Sequence, residues 1–153
     1  MSPIKREPAL LALSQEHHRA LLLAFQCKQA AAGRQLAGAG STPRAQAAMV
    51  EQAFVELLDA HFAAEENLLA PLLAPHTDVS RLKEDHQELQ RLRASLLTSD
   101  EVLAEFALKL EAHVRWEERE LFAIAERALS AEEKKKLAEL LARSPAAACA
   151  IKR

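Results

Sequence analysis

Apolar residues recur every three or four positions along most of the chain, which is the spacing of amphipathic α-helices. The breaks in this pattern fall at glycine and proline, and all three glycines lie within residues 33–42. The pattern predicts four long helices and a shorter fifth one. Their predicted ranges are about residues 8–32, 43–73, 78–97, 100–129 and 131–143.

Polar residues stand where the later helices are predicted to start. Ser41 or Thr42 is placed to cap the second helix, and Ser99 is placed to cap the fourth. Ser130 and Glu133 match a capping box at the start of the fifth. These residues support the predicted boundaries independently of the apolar pattern.

The composition agrees with an all-α fold. Half of the residues are apolar, aromatic residues make up only 4%, and tyrosine is absent. Short connections between the long helices favour an up-down-up-down four-helix bundle, with the short fifth C-terminal helix packed across one end. We expect one domain over residues 1–153, with its core at about 8–129.

Charge and cysteine content exclude several classes of function. The net charge is −2 with mixed signs, so no basic surface for nucleic acid is expected. Cys27 and Cys149 lie far apart, in no spacing typical of a disulfide framework or a zinc knuckle. No signal peptide and no apolar membrane span are recognised, which predicts a cytoplasmic protein without a membrane partner.

Two helices carry a histidine and a glutamate within their apolar stripes. The second helix reads Phe54, Leu58, His61, Glu65, Leu68, Leu72, and the fourth reads Phe106, Leu110, His113, Glu117, Leu121, Ile124. Residues four apart share a helix face, so each pair points the same way. A carboxylate on a buried face is costly unless a positive group meets it, and neither stripe contains lysine or arginine. A metal ion would satisfy both side chains.

The other two long helices each offer an inward histidine. The third helix places His86 in its stripe. In the first helix His17 is preferred, with His18 as an alternate or additional ligand because its own stripe is also apolar. His76 follows a proline in a predicted loop and is interpreted as a surface residue.

The two halves of the chain repeat one pattern. Each half has a lone histidine followed by a His-x-x-x-Glu turn, and an acidic residue precedes each lone histidine. A pseudo-symmetric core built this way could hold two metal ions bridged by Glu65 and Glu117. Glu66 and Glu118 lie one position off the stripe and are interpreted as boundary residues or as partners of the ligands. The competing structural interpretation is a polar core without a metal.

These residues resemble the hemerythrin-like family, also called the HHE cation-binding domain. The resemblance rests on Glu16-His17-His18-Arg19, His61-Phe-Ala-Ala-Glu65, Asp85-His86-Gln-Glu-Leu89 and His113-Val-Arg-Trp-Glu117. It implies a four-helix bundle around a non-haem di-iron centre. His17, His61, His86 and His113 would then be terminal ligands, and Glu65 and Glu117 would bridge the irons beside an oxo or hydroxo group.

The chain departs from the oxygen-carrying members of that family at two places. Those proteins have a second histidine four residues after the third-helix ligand, where this chain has Gln90. They also use an aspartate five residues after the fourth-helix histidine, whereas Glu117 follows His113 by four. These differences argue against reversible oxygen carriage.

The expected function is therefore a metal-binding module that binds or senses a small ligand such as oxygen, nitric oxide or peroxide. The alternative is an iron-dependent enzyme or iron donor, either a peroxide-consuming oxidase or a factor that repairs iron centres. No catalytic residue is assigned and no protein partner is predicted. Zinc or manganese would suit the same imidazole and carboxylate ligands.

Overall fold

The structure is a computed structural model that describes residues 6–34 and 42–143 of the 153-residue chain. Within these residues it is all-helical. Helix α1 spans Pro8–Ala31, α3 spans Ser80–Ser95 and α5 spans Ala131–Ala142. Helix α2 is α-helical over Pro43–Ala53, Asp59–Ala64 and Ala70–Leu73, with π-helical turns at Phe54–Leu58 and Glu65–Leu69. Helix α4 is α-helical over Asp100–Trp116 and Phe122–Ala128, with a π-helical turn at Glu117–Leu121.

Local interactions explain where the first two helices end and begin. Helix α1 ends in a Schellman motif, in which Gly33 N–H donates to Ala30 and Arg34 N–H donates to Gln29. Gly33 has φ +76°, a left-handed conformation that favours glycine. Thr42 caps α2 by accepting a hydrogen bond from Ala45 N–H. The alternative cap, Ser41, lies outside the described residues.

The later helix starts follow the predictions with two differences. Ser130 and Glu133 form the predicted capping box at α5. Ser99 is the N-cap residue of α4, but its side chain makes no capping hydrogen bond, contrary to the prediction. Helix α3 starts at Ser80 and not at residue 78, because the Asp78 carboxylate accepts the Ser80 N–H from outside the helix.

Two apolar clusters fill the interior. The Phe54 cluster takes its side chains from the C-terminal half of α1, the first half of α2, the second half of α3 and the first half of α4. The Phe122 cluster takes them from the opposite halves of the same helices and from α5, which contributes Leu137 and Leu141. Helix α5 therefore covers one end of the bundle, and the polar residues described below lie between the clusters.

The π-helical turns shift which side chains face the core. After Glu65 the regular spacing predicts Leu68 and Leu72 inside, but the structure buries Leu69 and Leu73 completely and leaves Leu68 and Leu72 partly exposed. Beyond Glu117 the predicted Leu121 is buried, and the shift appears in the following turn, where Ala125 is buried in place of Ile124. A π turn holds one residue more than an α turn, so every later side chain moves by about one position.

Among the described residues, no helix combines the length and the apolar character needed to cross a membrane.

Candidate metal centre

The six predicted ligand residues lie together in the middle of the bundle. They are His17 on α1, His61 and Glu65 on α2, His86 on α3, and His113 and Glu117 on α4. None of the six is more than 3% exposed. Polar side chains are rarely buried to this extent without partners, so their convergence calls for a chemical explanation.

The six residues form two groups of four that share both glutamates. One group is His17, His61, Glu65 and Glu117, and the other is Glu65, His86, His113 and Glu117. Within each group the candidate ligand atoms all lie within 4.8 Å of one another. Each group could hold a cation, and Glu65 and Glu117 would be available to both.

Each histidine turns its Nε2 atom toward a shared carboxylate. His17 Nε2 lies 3.2 Å from Glu117 Oε2, and His61 Nε2 lies 3.2 Å from Glu65 Oε1. In the second group, His86 Nε2 lies 3.3 Å from Glu65 Oε1, and His113 Nε2 contacts Glu117 Oε1. The Nε2 atoms of His86 and His113 are 3.2 Å apart. Two neutral nitrogens with lone pairs at this distance repel each other unless a proton or a cation lies nearby.

The centre contains buried polar atoms that lack hydrogen-bond partners. All four carboxylate oxygens of Glu65 and Glu117 are of this kind, as is Nε2 of His17. The imidazole nitrogens near these oxygens are close but are not oriented for hydrogen bonding. Leaving a buried carboxylate unpaired costs several kcal/mol. The donor set of imidazole nitrogen and carboxylate oxygen therefore fits a bound metal cation.

The electrostatics of the centre also favour bound positive charge. Burial alone would raise the pKa of the Glu65 carboxyl, but the imidazoles of His61 and His17 outweigh it and hold that pKa well below its usual range. Burial opposes charge on His17, yet the hydrogen bond to Glu118 and the nearby Glu65 raise its pKa to about 9. Burial is the main reason why the pKa of His113 is lowered. The Glu65 carboxylate thus stays ionised in the interior.

The opposite ring nitrogen of each histidine faces a second, outer carboxylate. The pairs are His17 Nδ1 with Glu118 at 2.9 Å, His86 Nδ1 with Glu66 at 3.1 Å, His113 Nδ1 with Asp85 at 2.9 Å, and His61 Nδ1 with Glu16 at 3.4 Å. The sequence left Glu66 and Glu118 as boundary residues or as partners of the candidate ligands, and the structure places both beside a histidine of the centre. The sequence assigned no role to Glu16 and Asp85, although their position directly before a ligand histidine is a usable signal.

The two remaining histidines lie outside the centre, and two aromatic side chains lie against it. His18 is exposed and lies outside both groups, so the structure brings His17 and not His18 into the centre. His76 is also exposed, as its position in a loop predicted. Phe62 stacks on His86 with ring centroids 4.1 Å apart, and Trp116 lies 5.9 Å from His113. These rings wall the centre.

Comparison with known proteins gives one informative result. Residues 10–125, which are more than half of the chain, match the family model described as the hemerythrin HHE cation binding domain. The matched segment contains all six residues of the centre. Neither the curated proteins nor the solved structures gave a significant match.

Proposed function

This chain belongs to the hemerythrin HHE cation-binding family, and on that basis we propose that it holds a non-haem di-iron centre that binds or senses a small ligand such as oxygen or nitric oxide. One observation carries the proposal. Two four-residue groups share Glu65 and Glu117, and all four oxygens of these glutamates are buried without hydrogen-bond partners.

The donor set supports iron as the metal. Each ion would take two imidazoles together with oxygens from both glutamates. Such a set of mixed nitrogen and oxygen ligands suits a non-haem iron ion better than a set of oxygen ligands alone or a set of sulfur ligands. Iron held in this way would supply redox chemistry and open coordination positions for a diatomic molecule. Zinc and manganese accept similar ligands, so metal analysis has to discriminate among the three.

Burial supports a small ligand. The six residues are enclosed by the two apolar clusters, and the rings of Phe62, Phe122 and Trp116 lie beside four of them. A surface depression of about 290 Å³ reaches His17 from outside, and Ser14 and Glu118 are among its lining residues. A diatomic molecule or peroxide could enter by such a route, whereas a large organic substrate could not reach the buried atoms.

Three structural expectations belong to the same proposal. The helices follow an up-down-up-down order, which the exchange of helix halves between the two clusters supports. The chain forms one domain with its core at about residues 8–129. The protein acts in the cytoplasm.

Elemental analysis and optical spectroscopy test the proposal together. Protein expressed with iron should contain about two iron ions per chain, and mixing the reduced form with oxygen or nitric oxide should change its spectrum. Iron well below one ion per chain would refute the metal assignment. Full iron loading without any spectral change on mixing would refute the binding of oxygen or nitric oxide. Sustained consumption of peroxide would instead favour the alternative function, an iron-dependent enzyme.

A further inference from the structure

Each outer carboxylate stands next to a proposed metal ligand in the chain. The four adjacent pairs are Glu16–His17, Glu65–Glu66, Asp85–His86 and Glu117–Glu118. In each pair one residue belongs to the centre and the other contacts a histidine of a different helix. Successive residues of an α-helix point about 100° apart, so a neighbour of an inward residue faces the adjoining helix.

Three of these contacts are hydrogen bonds of defined direction. An ionised carboxylate can only accept, so the Nδ1–H groups of His17, His86 and His113 donate to Glu118, Glu66 and Asp85. The other ring nitrogen, Nε2, is then the atom with a free lone pair, and it faces the shared glutamates. Glu16 lies in the equivalent place opposite His61, at the longer distance of 3.4 Å.

We propose that Asp85, Glu118 and Glu66 are positioning residues that hold His113, His17 and His86 in the tautomer and orientation needed for metal binding through Nε2. The proposal rests on the proposed metal centre and adds to it a set of residues that do not touch the metal. Partners of this kind raise the basicity of a ligand and keep it from rotating.

The surrounding residues hold the Asp85 carboxylate more firmly than the Glu66 carboxylate. Both residues serve the same ion position, because His113 and His86 belong to one group. Asp85 has a side chain only 7% exposed, and it also contacts Lys109 Nζ at 2.7 Å and Arg81 Nε at 3.4 Å. Glu66 is 31% exposed. Among the described residues, no lysine or arginine lies within ion-pair distance of it.

This difference in anchoring has a consequence for substitution. Water can replace the partially exposed Glu66 as the acceptor for His86, whereas in Asp85→Asn the buried Nδ1–H of His113 would be left with at most a neutral amide oxygen as its acceptor. Glu118 is 25% exposed, but further contacts anchor it as they anchor Asp85, namely Arg6 at 2.8 Å and Ser14 at 3.2 Å.

The test compares Asp85→Asn, Glu66→Gln and the control Glu88→Gln, which changes a partly exposed carboxylate of the same helix α3 that pairs with Arg91 and contacts none of the six central residues. Iron(II) is titrated without oxygen, and the fluorescence of Trp116, the only tryptophan of the chain, reports binding near His113. Asp85→Asn should lower the affinity for one of the two ions about 10–100-fold, and Glu66→Gln should lower the same affinity by a smaller factor. Glu88→Gln should bind as the unchanged protein does.

Nuclear magnetic resonance of the zinc-loaded protein separates positioning from general destabilisation. Loss of the charged acceptor should move the Nδ1–H resonance of His113 in Asp85→Asn and leave that of His17 in place. Glu118→Gln should do the reverse, and this second variant provides the test if Asp85→Asn does not fold. A general loss of stability would not move one resonance selectively.

The outcomes distinguish the two proposals. If the unchanged protein fails to bind two ions, the proposed function is wrong. If it binds two ions while Asp85→Asn and Glu118→Gln match the control in affinity and in both resonances, the positioning role is wrong.

Discussion

The π-helical turn that begins at Glu65 can be tested with two neighbouring leucines. In a regular helix Leu72, seven residues after Glu65, would face the core and Leu73 would point sideways, but in the structure Leu73 is fully buried in the Phe122 cluster and Leu72 is partly exposed. The substitutions Leu72→Ala and Leu73→Ala remove the same atoms from adjacent positions. Their effects on helix propensity are equal, so the difference between them reports burial alone.

The expected magnitudes follow from that burial. Truncating a fully buried leucine costs about 3 kcal/mol in the free energy of unfolding, from lost apolar transfer and from the cavity left behind. Truncating the partly exposed Leu72 should cost about 1 kcal/mol. The difference of about 2 kcal/mol corresponds to a difference in Tm of about 4–8 °C for a domain of this size.

Urea unfolding followed by circular dichroism gives the free energies, with a chelator present so that metal binding does not contribute. Equal slopes against urea for the two variants would show that they unfold from comparable states. A Leu72→Ala variant that is as destabilised as Leu73→Ala, or more so, would refute the π-helical register. The helix would then continue regularly past Glu65.

Three further predictions concern the centre, a helix cap and a buried thiol. Glu117→Ala should lose both ions because both groups share this residue, whereas His61→Ala should retain about one ion per chain. Elemental analysis measures the metal content, and an equal loss of metal in the two variants would contradict the sharing of Glu117. Ser130→Ala should cost about 1 kcal/mol in the free energy of unfolding measured with urea, because it removes the hydrogen bond from Glu133 N–H to the Ser130 hydroxyl. Unchanged stability would count against that cap. Burial raises the pKa of the Cys27 thiol to about 12. In a Cys149→Ser variant, iodoacetamide at pH 8 should therefore label Cys27 only as the protein unfolds, and immediate labelling would show that the thiol is not buried.

The sequence predicted the helices and the six central residues because both depend on local periodicity. Five helices follow from glycine, proline and the apolar spacing, and their boundaries agree with the structure to within about two residues. The six residues were found because a histidine and a glutamate in a core stripe break the apolar pattern. Burial then removed the ambiguity between His17 and His18, since only His17 faces the interior.

The features that were missed depend on contacts between helices. A π turn at Glu65 or Glu117 leaves no mark in the spacing of apolar residues, so the predicted stripe continued to Leu68 and Ile124. Ser99 is a good capping residue by type, but its side chain does not make the bond. The position of Asp85 directly before His86 is a sign of a role near the centre, but its partner could not be derived, because His113 comes from another helix.

The sharing of Glu65 and Glu117 also bears on how the two cations would enter. Neither binding position belongs to one half of the chain, although the sequence repeats between halves, because each position takes residues from three helices. The first cation would order both glutamates, and the second would find them already in place. Pre-ordering favours cooperative loading, whereas repulsion between neighbouring cations opposes it. The population of singly loaded protein measures the balance between these two effects.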